Sequence, residues 1–207
     1  MQPADYVLYT VYPQLDRFGI DGITRVLESF SHIKMEADEY GRRMHDSYLE
    51  VEVELEESDL AVEVLSQSGE YYRVLQDLRQ SVVNLLAVGL YHLFEQHKHK
   101  LETLSAAQTK DAPDFTCFPA WARIDELRLV ANAVKHADGK SARKLRDVRP
   151  DLFVSSTFLL ELRNGAGVGQ AQLENPLGGT DLFLSPADLS AYRDALRELW
   201  EQVMPLL

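Results

Sequence analysis

The longest amphipathic stretch of the chain, from about Glu70 to Leu104, places the strongest constraint on its fold. Its apolar residues recur at intervals of three and four, which is the period of one face of an α-helix. Such a helix needs a partner, because most of its stability comes from burying that face. The stripe consists of Val74, Leu78, Val82, Leu85, Leu86, Gly89, Leu90, Leu93 and Phe94.

A second stretch, from about Ile20 to Leu65, has the same period and predicts the partner helix. Ser68-Gly69 separates the two, so residues 20–104 are predicted to form a long antiparallel helical hairpin. The strict alternation from Leu49 to Glu56 also suits a half-buried strand, but Glu and Leu favour a helix and the stripe continues on both sides. The apolar stripe of this second stretch consists of Met44, Tyr48, Val51, Leu55, Val62 and Leu65.

Two further helices are predicted beyond a polar loop at 106–119. The first runs from about Pro119 to Ala137, where Asp138-Gly139 provides a left-handed cap. Residues 119–149 thus hold this short helix, which we call the motif helix, and a basic turn. Pro150 ends that turn. The apolar side of the motif helix is Ile124, Leu127, Val130, Ala131 and Val134.

The C-terminal helix, residues 185–204, has the clearest boundary signal. Ser185 is the N-cap, Pro186 the first helical residue and Asp188 the third. Residues 150–184 read as irregular, with a short strand or helix near 158–162 and a flexible glycine loop without the Gly-Lys-Ser/Thr of a phosphate-binding loop. The core positions of the last helix are Leu189, Tyr192, Leu196, Leu199 and Val203.

Length and composition favour a single domain over residues 1–207, and four or five helices with few strand signals predict an all-α helical bundle. No apolar run is long enough to span a bilayer, and the N-terminus lacks the pattern of a signal peptide, so no membrane partner is expected. Cys117 is the only cysteine, which excludes an intrachain disulfide and fits a reducing cytoplasm. Its position between Phe115 and Phe118 predicts a small buried hydrophobe.

The net charge of -12 opposes general attraction to phosphate, yet one segment is basic. Such a cluster can hold phosphates locally because more distant charges are screened. Alternatively, it complements the acidic stretch from Asp46 to Glu63, within one chain or across a dimer. The cations are Lys135, Lys140, Arg143, Lys144, Arg146 and Arg149.

The motif helix carries a polar stripe opposite its apolar side, formed by Arg128, Asn132, Lys135 and His136. A solvated helix face is the plain interpretation. The residue types also suit metal-independent RNA cleavage: an imidazole to move a proton, an amide to orient it, and cations to stabilise a phosphorane.

LRLVANAVKH, with the basic turn after it and LAVGLYHLFEQ on the helix before it, resembles the HEPN superfamily of small α-helical proteins, many of them RNases of toxin or defence systems. Asn132 and His136 match the polar residue and the histidine of the family motif, whereas Ala131 stands where the family has Arg. The resemblance implies a homodimer that binds or cleaves RNA without a cofactor. His136 would be the acid or base, Asn132 would orient it, and Arg128 or Lys135 would replace the missing Arg.

In this interpretation the nucleic acid contacts Lys140, Arg143, Lys144 and Arg146. Two other functions stay open. A non-catalytic interaction module would use the acidic stretch and the basic turn to bind a protein partner or nucleotide ligand. A metal-dependent helical enzyme would use His92, Glu95 and His99, although they lack the zinc-protease pattern.

Overall fold

The computed structural model of the chain describes residues 1–50, 57–108, 111–154, 173, 176–178 and 181–207. All regular structure in these ranges is helical, as predicted. The N-terminal part alternates α-helical turns with the π-helical segments Val7–Val11 and Phe18–Thr24. The 3-10 turns are Phe115–Cys117, Pro150–Phe153 and Met204–Leu206. The α-helices are α1 (Pro3–Tyr6), α2 (Tyr12–Arg17), α3 (Arg25–Glu28), α4 (Ile33–Glu50), α5 (Glu57–Ala106), α6 (Trp121–His136), α7 (Lys140–Val148) and α8 (Pro186–Val203).

The fold divides into two compact units. We call Met1–Val26 together with Gln80–Leu207 the core unit, and Leu27–Arg79 the hairpin unit. Helix α5 contributes its first part to the hairpin unit and the remainder to the core unit. The single domain over residues 1–207 stays a prediction. None of the described helices is both long and apolar enough to cross a membrane.

The core unit is built on the apolar sides of α6 and α8, which contact each other. Every residue predicted for these two sides is buried, which confirms both helical stripes. Trp200, fully buried, lies edge-on to Phe115 with ring centroids 5.4 Å apart, and Phe94 of α5 packs near both rings. Each large apolar side chain buried in this way contributes about 1.5–3 kcal/mol.

Helix α8 begins as the sequence predicts. The Ser185 hydroxyl accepts a hydrogen bond from the Asp188 backbone N–H, and the Asp188 carboxylate accepts one from the Ser185 backbone N–H. This capping box satisfies two backbone donors that would otherwise lack a partner. The N-cap prediction is therefore confirmed.

The end of α6 differs in detail from the predicted cap. The positive φ falls on Ala137, at 55°, whereas Gly139 is extended with a φ of -121°. The Ala137 N–H still bonds to the Ala133 carbonyl, and the Leu177 N–H bonds to the Val134 carbonyl. The left-handed residue thus lies two positions before Gly139, at a helix end where the Leu177 N–H, from a distant segment, pairs with a carbonyl of the last turn.

The hairpin unit consists of α4 and the first part of α5. Ser68 donates a hydrogen bond of 2.8 Å to the Ala37 carbonyl, and Tyr40 stacks on Tyr71 with ring centroids 4.6 Å apart. Ser68 thus lies at Ala37, whereas Gly41 lies against Val64 as well as Ser68. Residue numbers therefore fall on α5 as they rise on α4. The two helices are antiparallel, as the predicted fold class has them, but the pair is α4 with the first part of α5 and not residues 20–65 with 70–104.

Two boundaries of that hairpin were wrong. Ser68-Gly69 does not interrupt α5, because a single exposed glycine weakens a helix without breaking it. The predicted first helix is instead interrupted by a turn at 29–32, and helical structure already begins at Pro3. Of the alternating segment at 49–56, Leu49 and Glu50 are helical, and 51–56 lie outside the described residues.

A buried asparagine on α5 fixes the chain segment that leads into α8. Asn84 is fully buried and donates hydrogen bonds to the carbonyls of Gly178, at 3.3 Å, and Leu182, at 2.7 Å. Gln80, one turn earlier, donates to the Leu184 carbonyl. Backbone acceptors of a non-regular segment are thus paired by side chains. The predicted element at 158–162 and most of the glycine loop lie outside the described residues.

Candidate nucleic-acid interface

Helix α6 separates a buried side from a partly exposed one. Ile124, Leu127, Val130 and Val134 have at most 1% of their surface exposed. Arg128, Asn132 and Lys135 are half-buried and His136 is exposed, so the predicted polar stripe does face away from the core. Ala131, where the HEPN motif has Arg, is fully buried. A longer side chain at that position would have to enter the packed interior.

His136 lies at the last residue of α6, next to Lys135. No described residue forms a hydrogen bond or ion pair with its imidazole, and Asn132 does not contact it by a hydrogen bond. Cations at this end of a helix interact favourably with the partial negative charge of the unpaired carbonyls. The imidazole is therefore accessible to a ligand.

Arg128 is engaged by a neighbour on its own helix. Its Nε lies 2.7 Å from Asp125 Oδ1, and the two side chains are 34% and 43% exposed. An ion pair with this exposure contributes less than about 1 kcal/mol. A phosphate can therefore compete with Asp125 for the guanidinium.

Helix α7 has one apolar side and one cationic side. Ala142 and Leu145 are fully buried, whereas Lys140, Arg143 and Lys144 are exposed. Arg143 and Lys144 follow Lys140 by three and four residues, so the three side chains lie on one face of the helix. Within the part of the chain that the structure describes, none of them forms an ion pair with a carboxylate. We call Lys140, Arg143 and Lys144 the cationic face.

The cationic face lies close to the imidazole along the chain. Lys140 follows His136 by four residues, a stretch that spans at most about 14 Å even when fully extended. Helices α6 and α7 also contact each other. The backbone at the start of the cationic face is therefore within about 14 Å of the backbone at His136.

The other two arginines of the basic segment have structural partners. Arg146, predicted to bind nucleic acid, lies 2.9 Å from Asp138 and over the Phe153 ring, 4.7 Å from its centroid. Arg149 donates to Glu126 at 2.6 Å and to Asp188 at 2.9 Å, and it also contacts Asp151. The basic segment thus divides into a paired part and an unpaired part.

The cluster around Arg149 connects three elements and was not predicted from the sequence. Glu126 on α6 also accepts hydrogen bonds from Tyr192 on α8, at 2.7 Å, and from Arg123. Burial and the Glu126 carboxylate raise the pKa of Tyr192. Burial raises the pKa of Asp188, but hydrogen bonds from Ser185 and Arg149 bring it below its ordinary value. The only hint in the sequence is that Arg149 and Asp188 lie at helix ends.

The histidines of α5 do not form the metal site considered above. His92 hydrogen-bonds to Gln96, and His99 lies 3.9 Å from Glu102 with 84% of its side chain exposed. No group of three potential ligands that could hold a metal comes together among the described residues. The metal-dependent interpretation was therefore wrong for this part of the chain.

His97 and Cys117 lie in surroundings that spacing alone does not reveal. His97 is buried and its Nδ1 lies 2.7 Å from the Tyr6 hydroxyl, and burial lowers its pKa. Cys117 is exposed, and its thiol donates to the Asp114 carbonyl, so the prediction of a buried cysteine was wrong. The short turn Phe115–Cys117 buries Phe115 and leaves Cys117 outside.

Together these features define an all-α helical protein in which the cationic face begins four residues after an exposed histidine and has no ion-pair partner among the described residues. No family model matches the chain, and neither a curated protein nor a solved structure matches it.

Proposed function

We propose that the chain binds RNA through the cationic face and that His136 is the acid–base group for metal-independent cleavage at a ribose 2′-hydroxyl. The observation that supports this proposal is the exposed imidazole of His136, followed from residue 140 by three exposed cations that form no ion pair with any carboxylate the structure describes. Phosphates neutralised by such cations release counterions, which favours binding even on a chain of charge -12.

Each residue of the polar stripe has a role in this proposal. His136 takes the proton of the 2′-hydroxyl, whose oxygen attacks the adjacent phosphorus as the P–O5′ bond breaks, and the leaving 5′-oxygen takes a proton from the imidazolium or from water. Asn132 orients the phosphate or the imidazole, and Arg128 offsets charge on the phosphorane after it leaves Asp125. Lys135 is the alternative cation. The motif resemblance favours RNA over DNA and favours a homodimer, in which two copies of His136 would face one RNA.

Binding is tested with a labelled single-stranded RNA, by fluorescence anisotropy over a range of salt concentrations. The variant carries Lys140→Gln, Arg143→Gln and Lys144→Gln. Its affinity should fall at least about tenfold, and its slope of log affinity against log salt should shrink by about two, at roughly 0.7 per lost contact. The control carries Arg17→Gln, Lys34→Gln and Lys100→Gln, three exposed cations elsewhere in the sequence with the same change in charge.

Equal weakening in both triple variants would show that only net charge matters, and would contradict a specific face.

Cleavage is tested separately in chelator, by analysing the RNA ends produced by wild type and by His136→Ala. A 2′,3′-cyclic phosphate should form with wild type and disappear with the variant. If RNA is bound but never cleaved, the chain is an RNA-binding module without this activity.

A further inference from the structure

The outward face of α5 in the hairpin unit is an exposed apolar stripe. Val62 is 66% exposed, Leu65 is 73% exposed and Tyr72 is 39% exposed. With Gly69 these positions alternate at three and four residues, which is the spacing of a helix-pairing seam. The side of α5 that packs on α4 is a different one, formed by residues such as Val64 and Ser68.

Gly69 has no packing reason within the described structure. It lies in the middle of a 50-residue helix, where glycine is unfavourable, and a Cβ at that position would meet no atom within 4 Å. A glycine in the centre of an apolar stripe lets the backbone of a second helix approach closely. The open space at Gly69 therefore points to a helical partner.

Charge decides what kind of helix fits this face. The hairpin unit holds 14 Asp and Glu against five Lys and Arg, a net charge of -9. At 100° per residue, one side of the stripe is bordered by a row of four carboxylates. These are Asp59, Glu63, Glu70 and Asp77, and Arg73, which lies between them and the stripe, pairs with Glu70 at 3.5 Å.

We propose that the stripe Val62–Leu65–Gly69–Tyr72 binds a cationic amphipathic helix of a protein partner. The apolar side of that helix would cover Leu65 and Tyr72, and its Lys or Arg residues would meet the carboxylate row. The same face of a second copy is a poor match, because two units of charge -9 would repel each other at distances shorter than the Debye length of about 8 Å.

The test uses a fluorescein-labelled peptide of about three heptads with Leu at positions a and d and Lys elsewhere. A second peptide has the same composition in scrambled order, so that its Leu residues form no stripe. Anisotropy titrations of the full chain should give tighter binding of the amphipathic peptide, and added salt should weaken that binding.

Two variants locate the binding face. Leu65→Gln should weaken binding of the amphipathic peptide at least about tenfold, whereas Leu177→Gln, at a residue of similar exposure, should leave it unchanged. Gly69→Ala should also weaken binding while raising the thermal midpoint, since the added methyl group contacts nothing within the chain. A loss of binding in a more stable protein cannot result from misfolding.

Three outcomes would overturn the proposal. The scrambled peptide could bind as tightly as the amphipathic one, which would mean attraction by charge alone. Leu65→Gln could bind the peptide as well as wild type does. Sedimentation could reveal a wild-type dimer that Leu65→Gln converts to monomer, which would make a second copy the occupant. None of these results depends on whether the cationic face binds RNA.

Discussion

The core unit and the hairpin unit are built from similar helices but differ in what those helices bury. In the core unit the apolar sides of α6 and α8 are almost completely buried. In the described part of the hairpin unit, the large apolar side chains that are buried are Ile33 and Leu60, and seven others are at least 39% exposed. An apolar periodicity therefore identifies a helix without telling whether the protein itself covers its apolar face.

The largest expected difference concerns leucines on the two kinds of face. Leu196→Ala in α8 should lower the free energy of unfolding by about 2–5 kcal/mol, because it leaves a cavity in a packed core. Leu65→Ala should change it by less than about 0.5 kcal/mol. Urea unfolding followed by circular dichroism measures both. A large loss with Leu65→Ala would mean that the stripe is covered in the free protein.

Within the core unit, the paired and unpaired arginines should also differ. Arg149 and its partners Glu126 and Asp188 are each at most 20% exposed, so Arg149→Met leaves Asp188 without its cation and leaves Glu126 with Arg123 alone. A loss of about 2–3 kcal/mol is expected, somewhat below that for a fully buried pair. Arg143→Met should be nearly neutral for stability and should instead weaken RNA binding. Equal destabilisation by the two substitutions would contradict the division of the basic segment.

Gly69→Ala tests whether the exposed face of the hairpin unit is free of contacts. It should raise the free energy of unfolding by about 1 kcal/mol, since alanine is the better helix former and nothing within 4 Å obstructs the methyl group. The thermal midpoint at equal protein concentration measures the effect. No gain in stability would indicate that an atom outside the described residues already occupies that space.

The smallest expected effect is a pH dependence that the core unit gains from His97. Burial lowers its pKa below the ordinary value of about 6.5, so the folded protein favours the neutral ring. Its contribution to stability is fully present above pH 6.5 and is lost as the pH falls towards the pKa of the folded state. At pH 6 this loss is at most about 0.8 kcal/mol. Unfolding of wild type and His97→Phe at pH 7.5 and 6 isolates the contribution, and parallel pH curves would contradict it.

The candidate site was only partly predictable. The sequence indicates that Arg128, Asn132, Lys135 and His136 share one side of a helix, because that follows from spacing alone. It does not indicate that Arg149 meets Glu126 and Asp188, which are 23 and 39 residues away. The sequence pattern does not distinguish the six cations of the basic segment from one another. Only long-range packing separates the cations that pair with carboxylates from those that stay exposed.

The all-α class, the position of α6 and the start of α8 at Ser185 are predictable from the sequence, since they depend on periodicity and on backbone hydrogen bonds within a few residues. Long-range packing buries the α6 stripe and leaves the stripe through Leu65 exposed. It also brings the N–H of Leu177 to the Val134 carbonyl, in the last turn of α6. The physical reason is that a local pattern fixes which residues share a face, whereas burial depends on which distant segment, if any, covers that face.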